Sequence, residues 1–303
     1  MPEELGRLFR GELLRDEPMA RHTTWRVGGP ADWYLIPQDA EDLAAALRWL
    51  EHRGIGRQVI GGGSNLLVRD GGIRGAVLDL KNLAALEFDG CSVRAQAGLS
   101  LGRLIRKSVE RELGGLEELW GIPGTLGGAL AGNAGAGSQD LAAVVEHLEL
   151  CGPEGPVVLG REAFEAGYRF LALPEGAVIT AAGLRLAQQE PSRLQERLRY
   201  WQQRRRSTQE TGAGNAGSVF KNPPGQSAWK LIDEAGFRGR LRGGARVSEK
   251  HTNFILNEGE ARAADIEELM ADIAAAVLAN CGIRLEPEVK IWGEPAGARE
   301  NGS

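Results

Sequence analysis

The sequence predicts an α+β fold built in two parts, and three observations carry that reading. Two glycine-rich turns, at residues 61–63 and 121–137, stand among short strands and helices in the first two hundred residues. At 208–217 the run TQETGAGNAG interrupts all periodicity and marks a boundary near residue 207. Beyond it, a smaller α+β unit carries isolated polar residues, Ser218 and Glu288, inside short apolar runs.

Taken in order, ADWYLI at 31–36 reads as a strand, and Leu43, Leu47 and Leu50 at helical spacing predict a helix over 39–53. Pro37 and Asp39 give that helix its start signal. Val59 and Ile60 end a short apolar run at Gly61, Gly62 and Gly63. A dinucleotide fingerprint of the GxGxxG type would need a further glycine and then a helix of three turns. Leu66, Leu67 and Val68 followed by Asp70-Gly71-Gly72 read instead as another strand and turn, leaving Asp79 as the sole feature in favour of that fingerprint. LEFDGCSVRAQA alternates around Asp89-Gly90 as a hairpin does. A helix follows over 101–113, then the second glycine run, two short strands about a Pro/Gly turn at 147–159, and a strand at 178–187. The helix predicted over 191–206 sets Leu194, Leu198 and Trp201 on one face and arginines elsewhere, a solvated face whose last members, Arg204 to Arg206, could reach a phosphate. In the last third, short helices and strands surround a long helix over 264–279, lined by Ile266, Leu269, Met270, Ile273 and Val277 and stopped by Gly282. LEPEVKIWG closes the chain's regular structure as a strand.

The 303 residues carry 25% charged and 42% hydrophobic side chains and a net charge of −5, so the chain is globular and has no broad electrostatic claim on nucleic acid or an anionic membrane. The first residues lack the apolar region of a signal peptide, and no stretch reaches the roughly 18 apolar residues of a membrane span, so a cytoplasmic location is expected. Cys91, Cys151 and Cys281 are far apart and form no CxxC pair; they are expected to be buried reduced thiols. His22, His52, His147 and His251 are equally scattered, which removes a zinc site and a Cys–His nucleophile from the candidates.

The run GIPGTLGGALAGNAGAG at 121–137 holds seven glycines and no charge. Glycine inside an element costs about 0.5–1 kcal/mol relative to alanine, so this density is tolerated where backbone must come close to something. A flexible linker would be rich in serine and charge; this run has Ile122, Pro123, Leu126 and Leu130. It is expected to form an ordered loop and short helix whose bare N–H groups face a phosphate or an aromatic ring system. Three polar residues stand out elsewhere. Ser218 interrupts an apolar run, though serines also bond their own backbone. Glu288 follows a proline in a strand, costly for an unpaired carboxylate unless it sits at a surface edge. Arg169 lies between Tyr168 and Phe170, where stacking on an aromatic ring is the plain alternative to binding.

Together the motifs closely resemble the UDP-N-acetylenolpyruvoylglucosamine reductase (UDP-N-acetylmuramate dehydrogenase) family of bacterial peptidoglycan synthesis. TTWRVGGPAD, VIGGGSNLLVRDGG, the 121–137 run, GYR, GSVFKNPPG, LIDEAGFRG, VSEKHTNFILN and LEPEV follow the family's order and spacing over nearly the whole chain. The resemblance implies a p-cresol methylhydroxylase-type FAD-binding domain in two subdomains, 1–80 and 81–206, followed by a substrate-binding domain at 207–303. It implies non-covalent FAD, since no His or Cys stands at either glycine turn, with NADPH as reductant and UDP-N-acetylglucosamine enolpyruvate as substrate. By the same resemblance Arg169 and Glu288 bracket the charge that develops on the enolpyruvyl group and Ser218 donates a proton, while Lys221 and Asn222 face the UDP or sugar end. For the flavin, Gly61, Gly62, Gly63, Ser64 and Asn65 would wrap the pyrophosphate, and Pro123, Gly124, Thr125, Gly127, Gly128 and Gly135 would lie along the isoalloxazine and ribityl chain. A monomer without nucleic-acid, membrane or metal partners is expected.

The sequence departs from the family pattern at three places. Leu171 replaces the serine of YRxS, the 207–216 loop lacks the usual Gln-Pro, and Gly137 stands where longer members carry a substrate-contacting tyrosine, which marks the shorter subtype without the inserted tyrosine loop. Two other readings are another flavin oxidase or dehydrogenase of the same cofactor fold, which would not need Ser218 and Glu288 together, and a sugar-nucleotide binder without turnover.

Overall fold

A computed structural model describes residues 9–212 and 214–297. The chain forms two compact units, each interleaved in sequence: residues 1–14, 33–62 and 75–204 make the first, and residues 15–32, 63–74 and 205–303 the second. The second unit is therefore more than a tail, since it takes in the TTWRVGG segment and the residues from Gly63 to Arg74.

The first unit is centred on an antiparallel five-stranded sheet in the order Gly155–Gly160, Val145–Gly152, Val178–Arg185, Ser92–Gln96, Leu86–Asp89. Its middle strand, VITAAGLR, is buried at every position but the last, because helices and neighbouring strands cover both faces. Small residues there have a second use. Arg94 and Glu149 stand on the two strands flanking it, opposite Gly183 and Ala181, and form a two-pronged ion pair at 2.6 and 2.7 Å, while the His147 ring fills the space over Gly183. That bond holds the Glu149 carboxyl below, and the Arg94 guanidinium above, their ordinary values.

Beside the sheet lie helices α1 (Ala40–His52), α2 (Leu101–Val109), α3 (Leu126–Ala131) and α4 (Pro191–Thr208). Asp39 caps α1 by accepting from the Asp42 amide at 2.9 Å, and the buried Asp42 carboxylate accepts from the Arg10 and Gln38 amides, which fixes the entry to the helix. Leu43, Leu47 and Leu50 are buried, as their spacing predicts. Parallel pairing of Arg57–Ile60 with Ile73–Asp79 sends the chain into the first glycine turn.

The second unit has its own core, around Trp25, Phe220, Ile255, Ile266 and Ile273. A three-stranded antiparallel sheet, Leu241–Arg242, Ala245–Val247, Ile255–Asn257, accompanies helices α5 (Ala228–Glu234) and α6 (Ala263–Cys281). The Asp70 carboxylate accepts from the Ala263 and Ala264 amides at 3.0 Å each, satisfying two of the orphan donors at the start of α6. Leu66–Val68 pairs in parallel with Lys290–Trp292, so that the glycine turn and the LEPEV segment enter adjacent strands. Of the three cysteines expected to be buried, Cys151 is; Cys91 is half-buried and Cys281 is exposed at the end of α6.

Because the Glu149 carboxyl is lowered by its guanidinium partner, its contribution to stability is present above the ordinary glutamate value of 4.5 and is lost as the pH falls through the lowered value. With both side chains partly solvated, that contribution is about 1 kcal/mol. Thermal melting of Glu149→Gln should fall below the unsubstituted protein at neutral pH, with the gap closing in acid; a gap constant with pH would mean that the ion pair contributes nothing.

Candidate active site

The first unit holds the two glycine turns against each other. Arg57–Ile60 ends at Gly61, and Thr125 caps α3, its hydroxyl accepting from the Gly128 amide at 3.4 Å. A Cβ on Gly62 would lie 2.7 Å from the Gly124 Cα, and one on Gly61 2.6 Å from the Thr125 hydroxyl. Gly62 is thus required by backbone packed on backbone, and Gly61 by the Thr125 side chain packed against it. The amides of the second turn are also spoken for: Leu126 and Gly127 donate to the Leu99 and Ala97 carbonyls at 2.8 Å each. The ordered loop and short helix are as expected, but the bare N–H groups expected to face a ligand bond to protein instead. The strand end at Ala97–Leu99 supplies carbonyls that no local pattern announces.

What the contact leaves open is a cavity of about 120 Å³. Gly61, Thr125, Gly127 and Gly128 line it, with apolar walls from Ile60 and Ile179 and polar atoms from Asp79 and Lys81. A Cβ on Gly128 would meet nothing closer than 3.5 Å, so this glycine keeps the cavity open instead of avoiding a collision. Glycine backbone, flat aliphatic walls and a few polar groups at the edge fit part of a flavin dinucleotide. Asp79, the residue favouring a dinucleotide fingerprint, does border the cavity, where its carboxylate accepts from the Tyr34 hydroxyl at 2.9 Å. Lys81, in the turn after the strand Ile73–Asp79, and Ile179, in the strand Val178–Arg185, belong to no motif, and only the fold finds them. A second depression, about 370 Å³, is lined by six consecutive residues, Arg161 to Ala166, and touches neither glycine turn.

The remaining flavin candidates stand elsewhere. Gly62 and Gly124 face each other, as above. Gly135 lies in a two-residue ladder with Gln139–Asp140, and Gly137, expected to border substrate, packs against Glu118 and Trp201, where a Cβ would come within 2.3 and 2.6 Å. Pro123 lies in the loop leading to Gly124. Gly63, Ser64 and Asn65 belong to the second unit, where a Cβ on Gly63 would meet the His22 carbonyl oxygen at 1.9 Å.

Arg169 belongs to the first unit, at the turn of the hairpin Ala166–Gly167/Phe170–Leu171. It holds a φ of +56°, uncommon for a long side chain and a form of strain that gathers at functional sites. Its guanidinium lies over the Tyr168 ring at 5.1 Å, as the aromatic alternative expects, with both terminal nitrogens 3.5 Å from the Gly135 carbonyl oxygen. Leu171, in place of the usual serine, is buried in the core, so this position anchors the hairpin by packing.

In the second unit, main-chain pairing brings Ser218 and Glu288 into one place. The Glu288 amide donates to the Val219 carbonyl at 2.8 Å, and the Lys221 amide to the Glu286 carbonyl at 2.9 Å. The Asn65 side chain donates to the Glu288 carbonyl at 3.2 Å, joining a flavin candidate to a catalytic one. Glu288 precedes the strand Lys290–Trp292 instead of lying within it, and both it and Ser218 are half-buried. The Lys221 ammonium turns to Glu286 at 3.4 Å, and the Asn222 carbonyl oxygen caps α5 at the Ala228 amide. Asn253, which sequence reasoning missed, is buried and bonds both main-chain atoms of Phe220, at 2.9 and 2.8 Å, fixing the strand after Ser218. Burial between Trp229 and Phe254 pushes the His251 imidazole down, so it is neutral at pH 7. Among the described residues no cluster of three or more His, Cys, Asp or Glu side chains could hold a metal, and no helix is long and apolar enough to cross a membrane.

Gly128→Leu tests the cavity. Leucine is the better helix former by about 0.5–1 kcal/mol and its Cβ meets no protein atom closer than 3.5 Å, so the variant should melt no lower than the unsubstituted protein while failing to retain visible flavin absorbance. Full retention of FAD would place the cofactor elsewhere.

Two family models cover the chain. One, described as an FAD binding domain, matches residues 31–159, and the other, the C-terminal domain of UDP-N-acetylenolpyruvoylglucosamine reductase, matches 209–292. UDP-N-acetylenolpyruvoylglucosamine reductase of Syntrophotalea carbinolica is 48% identical over 96% of this chain and 97% of its own length. The enzyme of that name from Heliobacterium modesticaldum is 42% identical over 99% and 96%. The crystal structure of the reductase from Thermus caldophilus, 33% identical, aligns with a TM-score of 0.81 over 94% of this chain and 99% of that one. With identity running from end to end and both family models matched, the chain belongs to the UDP-N-acetylenolpyruvoylglucosamine reductase family of FAD-dependent oxidoreductases.

Proposed function

We propose that the protein uses NADPH and a non-covalent FAD to reduce the enolpyruvyl ether of UDP-N-acetylglucosamine enolpyruvate, giving UDP-N-acetylmuramate for peptidoglycan precursor synthesis. The observation that carries this reading is that likeness to the reductases spans both the cofactor-domain and the C-terminal-domain matches without a gap in either role. A related flavin oxidase would share the first match and have no use for the second. Residues 1–80 and 81–206 form the two parts of the cofactor domain and 207–303 the substrate domain, and the enzyme works as a cytoplasmic monomer.

When bound, FAD supplies a hydride to the terminal carbon of the enolpyruvyl group, and the chain's own residues do the rest. Arg169 pairs with the substrate carboxylate, where a planar fork of donors matches two oxygens. Glu288 acts with it where charge develops on that group. Ser218 delivers a proton to the adjacent carbon; a hydroxyl is a weak acid, but the enolate of a carboxylate is a strong base. Hydride and proton together saturate the double bond, so each turnover consumes one NADPH and one proton. Support for Ser218 comes from its place beside Glu288, held by the pairing of residues 219–221 with 286–288. Gly61, Thr125, Gly127 and Gly128 hold the cofactor, with Gly62, Gly124, Gly135 and Pro123 shaping the bed and Gly63, Ser64 and Asn65 reaching its pyrophosphate. Lys221 and Asn222 serve the nucleotide-sugar end.

NADPH oxidation followed in the visible and near-ultraviolet should require the sugar nucleotide. In Ser218→Ala, NADPH should still bleach the flavin, while reoxidation by the enolpyruvyl substrate slows by at least about 100-fold. Undiminished turnover in that variant overturns the proton-donor role, and turnover without the sugar nucleotide indicates an oxidase.

A further inference from the structure

Asn133 follows α3 by two residues and is almost wholly buried, at 2% exposure. Its φ is +38°, a left-handed conformation that asparagine tolerates better than most side chains. The side chain is fully occupied. Its carbonyl oxygen accepts from the Ala142 amide at 3.0 Å, and its amide nitrogen donates to the Gly167 carbonyl at 2.9 Å. Gly167 is the last residue before the turn that carries Tyr168 and Arg169. Two residues after Asn133, the Gly135 carbonyl faces the Arg169 guanidinium at 3.5 Å. One short segment thus touches the Arg169 hairpin twice, once at its main chain and once at its charged group.

The hairpin needs such a brace. Its ladder is two residues a side, and an isolated ladder of that size is marginal in water. It must also hold Arg169 in a strained backbone conformation, which persists only when surrounding contacts over-determine it. The segment is tied at its other end to the cofactor bed, because Thr125 caps α3 and Gly127 and Gly128 line the cavity. The structure assigns Asn133 as a positioning residue: the Asn133 clamp on the Gly167 carbonyl fixes Arg169 relative to the flavin cavity within the first unit. A purely structural cap after α3 would need the bond to Ala142 and have no use for the bond to Gly167. The assignment rests on the carboxylate-binding role proposed for Arg169.

The test is a double-mutant cycle read on the two half-reactions. Asn133→Gly accepts the left-handed backbone and deletes both hydrogen bonds; Asn133→Asp keeps the acceptor for Ala142 and loses the donor to Gly167, which guards against a variant that fails to fold. Both should retain flavin absorbance and normal reduction by NADPH, while reoxidation by UDP-N-acetylglucosamine enolpyruvate slows by about 10–100-fold. Added to Arg169→Ala, either substitution should slow it no further. Trypsin should cut after Arg169 several-fold faster in both variants, a readout independent of turnover. Multiplicative losses in the double variants, or unchanged cleavage, would overturn the assignment and leave Asn133 a structural cap. An Arg169→Ala enzyme as fast as the unsubstituted one would instead remove the role of Arg169, and the clamp's purpose with it.

Discussion

The contact on which the first unit depends is the close approach of two turns: a Cβ on Gly62 would lie 2.7 Å from the Gly124 Cα, and one on Gly61 2.6 Å from the Thr125 hydroxyl. A strand end and a helix start are normally kept apart by the side chains between them. Glycine at 61, 62 and 124 lets the turns approach until Gly61 meets the Thr125 side chain and Gly62 meets the Gly124 main chain. The amides at the start of α3 are then satisfied by the Ala97 and Leu99 carbonyls, which spares them the cost of burial without a partner. The cavity is what remains beside this seam.

The chemistry rests on groups held by main-chain pairing more than by side-chain packing. Arg169 rides on a two-residue hairpin braced by Asn133. Ser218 and Glu288 are brought together because residues 219–221 and 286–288 exchange backbone hydrogen bonds, with Asn253 closing the Phe220 main chain from the other side. The main chain that carries each side chain proposed for the chemistry is thereby held by hydrogen bonds to another segment.

Much of this was legible in the sequence. Period and caps gave α1 from Leu43, Leu47, Leu50 and Asp39, and α6 from Ile266 to Val277 with Gly282 in the left-handed conformation at its end. The eight ordered motifs gave the family. Three things were not legible, for physical reasons. Dense glycine says that something is close without saying what: the run at 121–137 points to a ligand, and the structure adds that Gly124 packs against Gly62 and Gly137 against Glu118 and Trp201. Lys81 and Ile179 enter the cavity through long-range strand order that no local pattern encodes. Asn133 and Asn253 act by bonding remote carbonyls, and an asparagine in a glycine-rich or apolar run looks the same whether it turns the chain or clamps another part of it.

The central claim, that the cofactor bed exists because two glycine turns touch, is tested most directly by measuring FAD affinity and apoprotein melting together in Gly62→Ala. A methyl group there would sit 2.7 Å from the Gly124 Cα with only backbone to move, so the account predicts a loss of about 2 kcal/mol or more in apoprotein stability with at least tenfold weaker FAD binding. An alanine variant that melts like the unsubstituted protein and binds FAD as tightly would contradict it.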